Sequence, residues 1–150
     1  MNKIGNYKQY LVYSASSAED RSVYCEIGPY ATSRTAVKEL EGPIYDDDSY
    51  VWFVVKDGEK TIAISSIDFS RIEKGTASFG LTYVNPEYRR QGIYRYLFSL
   101  KENACKERGA KSIRGLANPL SAILFEKNGF CVTSERGKWK HYEKEVLDVK

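Results

Sequence analysis

Residues that bind metals or form disulfides are scarce in this sequence. Its 150 residues include one histidine, His141, and three cysteines, Cys25, Cys105 and Cys131. The cysteines are odd in number and widely spaced, and no Cys-x-x-Cys pair or cluster of histidine and cysteine occurs. We therefore expect no metal site and no disulfide framework, with free thiols in a reducing cytoplasm.

Long apolar runs are missing as well. The longest, such as residues 51–55, are far too short to span a bilayer, and the first ten residues lack the apolar core of a signal peptide. No stretch rich in proline, glycine or serine divides the chain, so a single domain over residues 1–150 is expected. With 42% hydrophobic and 29% charged residues, the composition fits a cytoplasmic globular protein with no membrane partner. The net charge of +3 does not by itself predict nucleic-acid binding.

Strand and helix patterns alternate along the chain and predict a mixed α/β fold, in the order β-α-α-β-β-β-α-β-α-β-β. Asp57 and Gly58 form a strong hairpin signal between two strands. A strand that follows a crossover helix should lie parallel to the strand before that helix. The predicted strands are residues 8–13, 50–56, 60–68, 76–84, 111–116, 130–133 and 139–147. The predicted helices begin at Ser16 or Ser17 (ending at Gly28-Pro29), at Thr32 or Ser33 (ending at Gly42-Pro43), near Gln91 (ending near Arg108) and at Asn118-Pro119.

A basic turn joins an apolar strand to an amphipathic helix in the middle of the chain. Residues 79–84 form the strand, Arg89, Arg90 and Gly92 lie in the turn, and one apolar helix face begins at Ile93. The first turn of a helix has backbone N–H groups without internal partners, and the helix dipole makes that end positive. A phosphate or pyrophosphate is the natural ligand there. The alternative is an ordinary connection with solvated arginines, because one glycine is a weaker signal than a glycine-rich loop.

Two segments together resemble one family. The turn N-P-E-Y-R-R-Q-G-I-Y (residues 85–94) and the later N-P-L-S-A-I-L-F-E-K-N-G-F (residues 118–130), with the order of elements, resemble the GCN5-related N-acetyltransferases (GNAT). The resemblance covers roughly residues 51–130. It implies a mostly antiparallel sheet of about six to seven strands flanked by helices, with a splayed cleft between the fourth and fifth strands. It also implies acetyl-CoA as the co-substrate, without a metal.

The resemblance also implies which residues hold the co-substrate. The family's pyrophosphate loop, Arg/Gln-x-x-Gly-x-Gly/Ala, falls on residues 89–94, whose backbone N–H groups would hold the pyrophosphate. The end of the preceding strand would pair with the pantetheine arm as an added strand does. The implied CoA-binding residues are Tyr83, Val84, Arg89, Arg90, Gln91, Gly92, Ile93, Tyr94, Asn118, Ser121 and Phe125.

Two of these positions depart from the family pattern. Tyr94 stands where the family usually has glycine or alanine, so its ring must point away from the phosphates. Phe125 stands where many members have a tyrosine that donates a proton to the departing CoA thiolate, and phenylalanine cannot donate. A thiolate has a low enough pKa, near 8.5 for a cysteine-like thiol, to leave without a dedicated acid.

The general base is less evident from the sequence. The family often places a glutamate on the central strands, but no glutamate occurs in residues 76–84. Asp68 and Tyr83 are the catalytic candidates, and the acidic run at residues 46–48 is either a site for a cationic acceptor or a solvated turn. His141 lies on the last predicted strand and is expected to be exposed and structural, although the acceptor side of the family's cleft includes that region.

The function implied is transfer of an acetyl or short acyl group from acetyl-CoA to a primary amine, on a small molecule or a peptide, by direct attack in a ternary complex. Phe125, Tyr94 and the missing glutamate favour an alternative, an inactive acyl-CoA-binding protein that serves regulation. A second alternative is a nucleic-acid-directed modifier, because basic residues recur along the loop and the helix after it. The protein is expected to be a monomer or a homodimer.

Overall fold

The structure, a computed structural model, describes residues 1–146 and arranges them around one mixed β-sheet. Within that range the strands stand in the order β1-β2-β3-β4-β5-β6-β8-β7, and all neighbours are antiparallel except β5 and β6, which are parallel. The strands are β1 (Asn2–Tyr7), β2 (Tyr10–Ala15), β3 (Tyr50–Asp57), β4 (Lys60–Asp68), β5 (Thr76–Val84), β6 (Ser112–Ala117), β7 (Cys131–Arg136) and β8 (Trp139–Glu145). The helices are α1 (Val23–Ala31), α2 (Arg34–Leu40), α3 (Ile93–Glu107) and α4 (Pro119–Lys127).

Apolar side chains leave the sheet on both faces, and two helices cover each face. On one face Leu97 of α3 and Phe125 of α4 pack in a core with Phe79 of β5. On the other face Ile27 of α1 packs in a second core with Trp52 of β3. The predicted fold class, a mixed and mostly antiparallel sheet flanked by helices, is therefore confirmed.

The described sheet has eight strands, more than the six or seven expected, because it includes β1. This strand lies at the edge of the sheet and its side chains are mostly exposed, so it carries no alternating apolar pattern. Its turn into β2 uses Lys8 at a φ of 54° instead of the glycine or asparagine that marks such turns. The first predicted strand, residues 8–13, corresponds to β2 and was placed too early.

Helix α1 differs from the prediction at both ends. It begins at Val23 because residues 16–20 form a hydrogen-bonded turn, and it continues through Pro29, where an end was expected. Proline removes one helical hydrogen bond. Tyr30 is nevertheless buried just after it, and its hydroxyl donates to Asn85 Oδ1 at 2.6 Å. Packing against the sheet thus outweighs the local signal.

The other boundaries lie close to the predicted ones. Helix α2 follows Ser33, whose hydroxyl oxygen accepts the Ala36 N–H at 3.2 Å. The last predicted strand, residues 139–147, is observed as β8, and Leu147 lies outside the described residues. All three cysteines are free, with Cys105 buried. No helix of residues 1–146 is long and apolar enough to cross a membrane.

Strands β5 and β6 diverge soon after they meet. Residues 76–78 pair with residues 112–114, and the parallel pairing ends there. These two strands are the fourth and fifth of the predicted order, so the splayed cleft lies where it was expected. The separation leaves the second half of β5 without a neighbour on that side, which creates the space for a site.

Candidate active site

A cavity of about 1210 Å³ lies between the separated halves of β5 and β6. Small-molecule sites are usually clefts of roughly 300–1,000 Å³, so this one can take a large ligand. Its wall is formed by β5, the turn after β5, the first turns of α3 and α4, the end of α2 and the β7–β8 hairpin.

Strand β5 reverses the direction of its side chains at Gly80. Phe79 points into the core under α3 and α4, whereas Tyr83 packs in the core under α1 and α2. In a regular strand two residues four apart would share a face, so one extra residue has been inserted. The pairing register of β4 and β5 shifts at this point, and a Cβ atom at Gly80 would lie 2.1 Å from Ser66 Oγ. The glycine therefore permits a β-bulge at the floor of the cavity.

The edge of β5 beyond the bulge offers free backbone groups to the cavity. Asn85 N–H donates to the Ile62 carbonyl at 2.8 Å, which fixes which residues of β5 hydrogen-bond to β4. Because hydrogen-bonding direction alternates along a strand, the N–H groups of Thr82 and Val84 face away from β4 and toward the cavity. An extended ligand could pair with this edge as an added strand.

The first turn of α3 presents a second set of backbone donors. Gly92 is the N-cap at a φ of 83° and Arg90 precedes it at a φ of 65°, both left-handed conformations. Glycine has no side chain to cap the helix, so the N–H groups of the first turn stay available. Gly92, Ile93 and Tyr94 all contribute to the cavity wall. Phosphate is the ligand such a positive helix end favours.

The arginines of this turn have different partners. Arg89 Nε donates to the Val84 carbonyl at 2.9 Å, and its guanidinium forms an ion pair with Glu39 of α2 at 2.8 Å. Arg89 thus ties the turn to α2. Arg90 and Arg95 lie in the cavity wall and add positive charge beside the helix start.

Helix α4 begins on the opposite wall with a capping box. Asn118 Oδ1 accepts the N–H groups of Leu120 and Ser121, and Ser121 Oγ accepts the Asn118 N–H at 3.1 Å. Both polar side chains line the cavity. Their oxygens already serve the cap, so their main contribution is to fix the start of the helix.

A family model of the acetyltransferase (GNAT) domain matches residues 47–132, more than half of the chain. The chain belongs to the GNAT acetyltransferase family. The matched segment contains β3 to α4, and with them both sets of backbone donors in the cleft. The resemblance read from the two motifs is therefore confirmed. Among curated protein sequences, none matches this chain.

Solved GNAT-like structures agree in fold. A Klebsiella pneumoniae protein assigned as an acyl-CoA N-acyltransferase superposes with a TM-score of 0.69 at 14% identity, over 94% of this chain and 100% of the other. The ribosomal-protein-S18-alanine N-acetyltransferase of Escherichia coli gives 0.62 at 17% identity, over 89% and 90%. The PaiA N-acetyltransferase of Thermoplasma acidophilum, in complex with coenzyme A, gives 0.61 at 14% identity, over 91% and 99%.

The two departures from the GNAT pattern have different surroundings. Tyr94 lies in the cavity wall, where burial raises the pKa of its phenol and a contact with Ser121 opposes that rise. Phe125 is 4% exposed, and its ring stacks on the ring of Tyr142 in the core with their centroids 5.2 Å apart. A Cβ atom at Gly115 would lie 2.4 Å from that ring, so Phe125 fills the space directly under β6. Phe125, an expected CoA contact, therefore lies in the core and does not line the cavity.

Gln91 also points elsewhere than expected. Its carbonyl oxygen accepts a hydrogen bond from Tyr7 and its side-chain oxygen accepts one from Tyr10, each at 2.8 Å. Both tyrosines belong to the β1–β2 hairpin. These two tyrosines thus hold Gln91 on the side of the loop (residues 89–94) that faces away from the cavity.

Tyr83 is the catalytic candidate that the structure places in the cleft. It is 7% exposed, lies in the cavity wall, and its hydroxyl donates to Glu39 Oε1 at 2.9 Å. Burial, followed by the hydrogen bond to Glu39, raises the pKa of the Tyr83 phenol. Hydrogen bonds from Arg89 and Tyr83 lower the pKa of Glu39. At neutral pH this pair is therefore a protonated phenol and a carboxylate.

The acidic candidates lie away from the cleft. Asp68 pairs with Ser78, in the part of β5 that is still joined to β6, and its carboxylate accepts the Ser70 N–H at 2.8 Å. Asp46 accepts hydrogen bonds from Ser17, from Tyr24 and from the Trp52 indole, which makes it a structural tie. These placements remove the support for Asp68 as the general base and for residues 46–48 as an acceptor site.

The sequence did not predict which side chains of α2 meet the last strand at the far end of the cavity. Glu39 and Glu41 of the α2 region face Trp139 and His141 of β8 across this end. Glu39 belongs to no motif, whereas the place of His141 on the last predicted strand already put it on the acceptor side of the family's cleft. In residues 1–146, no three histidine, cysteine, aspartate or glutamate side chains are grouped closely enough to hold a metal ion.

Proposed function

We propose that this GNAT protein transfers an acetyl or short acyl group from acetyl-CoA to a primary amine, by direct attack in a ternary complex. The observation that carries this proposal is that the free donors of the α3 start and the free edge of β5 open into one cavity. The donors at the α3 start suit a pyrophosphate, and the edge of β5 suits an amide-containing arm. CoA has both groups.

In the proposed complex the pyrophosphate lies on the N–H groups of Gly92, Ile93 and Tyr94, with Arg90 beside it. The pantetheine arm then extends along the edge of β5, over Thr82 and Val84. The coenzyme A bound to the Thermoplasma protein, which has the same fold, supports this choice of co-substrate.

The thioester would then lie near the β-bulge at Gly80. The Thr82 N–H faces this space and would polarise the carbonyl oxygen. The amine nitrogen bonds to the carbonyl carbon as the carbon–sulfur bond breaks, and CoA leaves as a thiolate without a dedicated acid. Before this attack His141 takes one proton from the acceptor ammonium, because it lies in the cavity wall and an imidazole can act as a general base. The second proton, which leaves the nitrogen as the amide forms, passes to the departing thiolate or to water.

The acceptor is a primary amine, of a small molecule or of a peptide, that enters at the far end of the cavity. Tyr83 and Trp139 line this end, and the faces of aromatic rings favour a cationic group. The Glu39 carboxylate beside them is already paired with Arg89. Holding the amine beside the thioester supplies much of the rate acceleration.

An acyl-CoA-binding protein without transfer activity is the second candidate. The phenylalanine at position 125 is packed in the core, and β5 carries no carboxylate. A nucleic-acid-directed activity has less support, because two of the basic residues on the loop and the helix after it are not free to contact a phosphate backbone. Lys101 is buried and Arg89 is paired with Glu39.

Release of free CoA thiol from acetyl-CoA, measured with a panel of amines, tests the proposal. We expect amine-dependent release, and a His141→Gln variant that lowers kcat by about 10²-fold with the KM for acetyl-CoA unchanged. Lys140→Gln on the same strand is the control, because Lys140 pairs with Glu135 instead. Stabilisation by CoA without thiol release for any amine would favour the binding protein, and an unchanged kcat for His141→Gln would remove that residue as the base.

A further inference from the structure

The β1–β2 hairpin contacts the pyrophosphate loop from behind. The Tyr7 hydroxyl donates to the Gln91 carbonyl oxygen at 2.8 Å, and the Tyr10 hydroxyl donates to Gln91 Oε1 at 2.8 Å. Gln91 is therefore held through both its backbone and its side chain. The two tyrosines lie near the N-terminal end of the sequence, outside residues 47–132 that match the family.

Aromatic packing extends this contact to both sides of Gln91. The Tyr7 ring stacks on Tyr96, in the first turn of α3, with centroids 4.6 Å apart and an angle of 29°. The Tyr10 ring meets the edge of Tyr88, before the loop, at 5.8 Å. A Cβ atom at Gly92 would lie 2.5 Å from the Tyr7 hydroxyl oxygen, so the hairpin approaches the loop as closely as glycine allows.

The loop needs such support because its conformation is unfavourable by itself. Arg90 has a φ of 65°, and left-handed backbone is strained for a residue with a side chain. Gly92 has a φ of 83°, so two left-handed residues flank Gln91 directly before the helix start that lines the cavity. A conformation of this kind persists only where the surroundings hold it.

We propose that Tyr7 and Tyr10 are positioning residues for the CoA pyrophosphate, which hold the loop in its binding conformation before the ligand arrives. Preorganisation of this kind raises affinity because the ligand does not have to order the loop. The proposal rests on the proposed function only for the identity of the ligand. The hydrogen bonds from Tyr7 and Tyr10 to the loop exist without a ligand, and their effect on the loop can be measured without one.

The first test is the affinity of the protein for CoA by calorimetry. We expect Tyr7→Phe and Tyr10→Phe each to weaken CoA binding several-fold, and the double variant to weaken it by about tenfold, as net hydrogen-bond strengths imply. With acetyl-CoA and an active amine, the KM for acetyl-CoA should rise and kcat should not change. Tyr24→Phe is the matched control, because its hydroxyl donates to Asp46 at 2.8 Å, away from the loop.

A double-mutant cycle assigns the effect to the hydrogen bond. Gln91→Leu removes the acceptor of Tyr10 and leaves both tyrosines in place. If the bond carries the effect, Gln91→Leu combined with Tyr10→Phe weakens CoA binding no more than either change alone. Fully additive losses, or a double tyrosine variant that binds CoA as the wild type does, would overturn the proposal.

Hydrogen exchange of the ligand-free protein separates this inference from the proposed function. The amides of residues 90–94 should exchange faster in the tyrosine variants than in the wild type or Tyr24→Phe. Failure of the wild type to bind CoA would overturn the function and leave this result standing. Unchanged exchange in the variants would overturn the positioning role whatever the ligand is.

Discussion

At the scale of single residues, a buried lysine lies directly behind the wall of the cleft. Lys101 is 2% exposed, and its Nζ lies 3.3 Å from Thr82 Oγ1 and 3.5 Å from the Leu81 carbonyl oxygen. Burial lowers the pKa of its ammonium to about 7, and Cys105 acts in the opposite direction. The charged form is therefore less favourable in the folded protein than in the unfolded chain.

This burial predicts how stability changes with pH. Below about pH 7 Lys101 is charged in both the folded protein and the unfolded chain, so the destabilisation caused by burying its charge is at its largest. Between pH 7 and 10.5 the unfolded chain binds the proton and the folded protein does not, so stability rises with pH. We expect Lys101→Met to be more stable than the wild type at pH 6.5, and the difference to shrink toward pH 9 by at most about 1.4 kcal/mol per pH unit.

Urea unfolding of both proteins from pH 6.5 to 9 measures this difference. Lys106→Met is the control, because Lys106 is exposed on the same helix. Burial raises the pKa of Cys105 to about 12, so that thiol does not titrate in the range. A difference between wild type and Lys101→Met that stays constant over this range would contradict the assignment.

Single residues were also where the sequence was least informative. The positive charge of Lys101 suggests a solvated side chain, but position 101 lies four and eight residues after Leu97 and Ile93 and so shares their buried face. The sequence identified Arg90 and Gly92, whose part in the turn follows from the local pattern. It could not show that Arg89 pairs with Glu39, since that partner comes from another helix.

At the scale of elements, the bulge in β5 decides which side chains reach the cleft. Gly80 has no left-handed requirement, so the space around it alone restricts the residue. A methyl group there would meet Ser66 Oγ, which accepts the Leu81 N–H at 3.2 Å. The serine cannot move away without giving up this hydrogen bond.

We therefore expect Gly80→Ala to lower the free energy of unfolding by about 1–3 kcal/mol, the usual effect of overpacking, and to weaken CoA binding by displacing the edge of β5. Gly42→Ala is the control, because nothing lies within 4 Å of a Cβ atom there. Chemical denaturation and CoA titration measure the two effects. Equal stability of Gly80→Ala and Gly42→Ala would show that the bulge is not tightly packed.

Elements with strong local signals were predicted well. The Asp57-Gly58 hairpin, the crossover helix α3 and the capped start of α4 all carry their signal within a few residues. Strand β1 and the bulge at Gly80 could not be predicted in the same way. Both are determined by pairing with a distant partner, and neither changes the local pattern of apolar residues.

At the scale of the whole molecule, the sheet brings three distant segments to one cavity. The β1–β2 hairpin supports the loop from behind, the family segment supplies the backbone donors, and the β7–β8 hairpin closes the far end. Lys138, at the tip of that hairpin, pairs with Glu41 beside α2 across the cleft. The sequence predicted the fold class and the position of the cleft, because both follow from element order and a family motif. The composition of the acceptor end arises from tertiary packing.

Calorimetric titration of the wild-type protein with CoA tests the central claim most directly. If the α3 start and the β5 edge form one CoA site, CoA should bind with one-to-one stoichiometry and raise the unfolding free energy by about 2.7 kcal/mol at one hundred times its Kd. Absence of both binding heat and stabilisation at millimolar CoA would contradict the account.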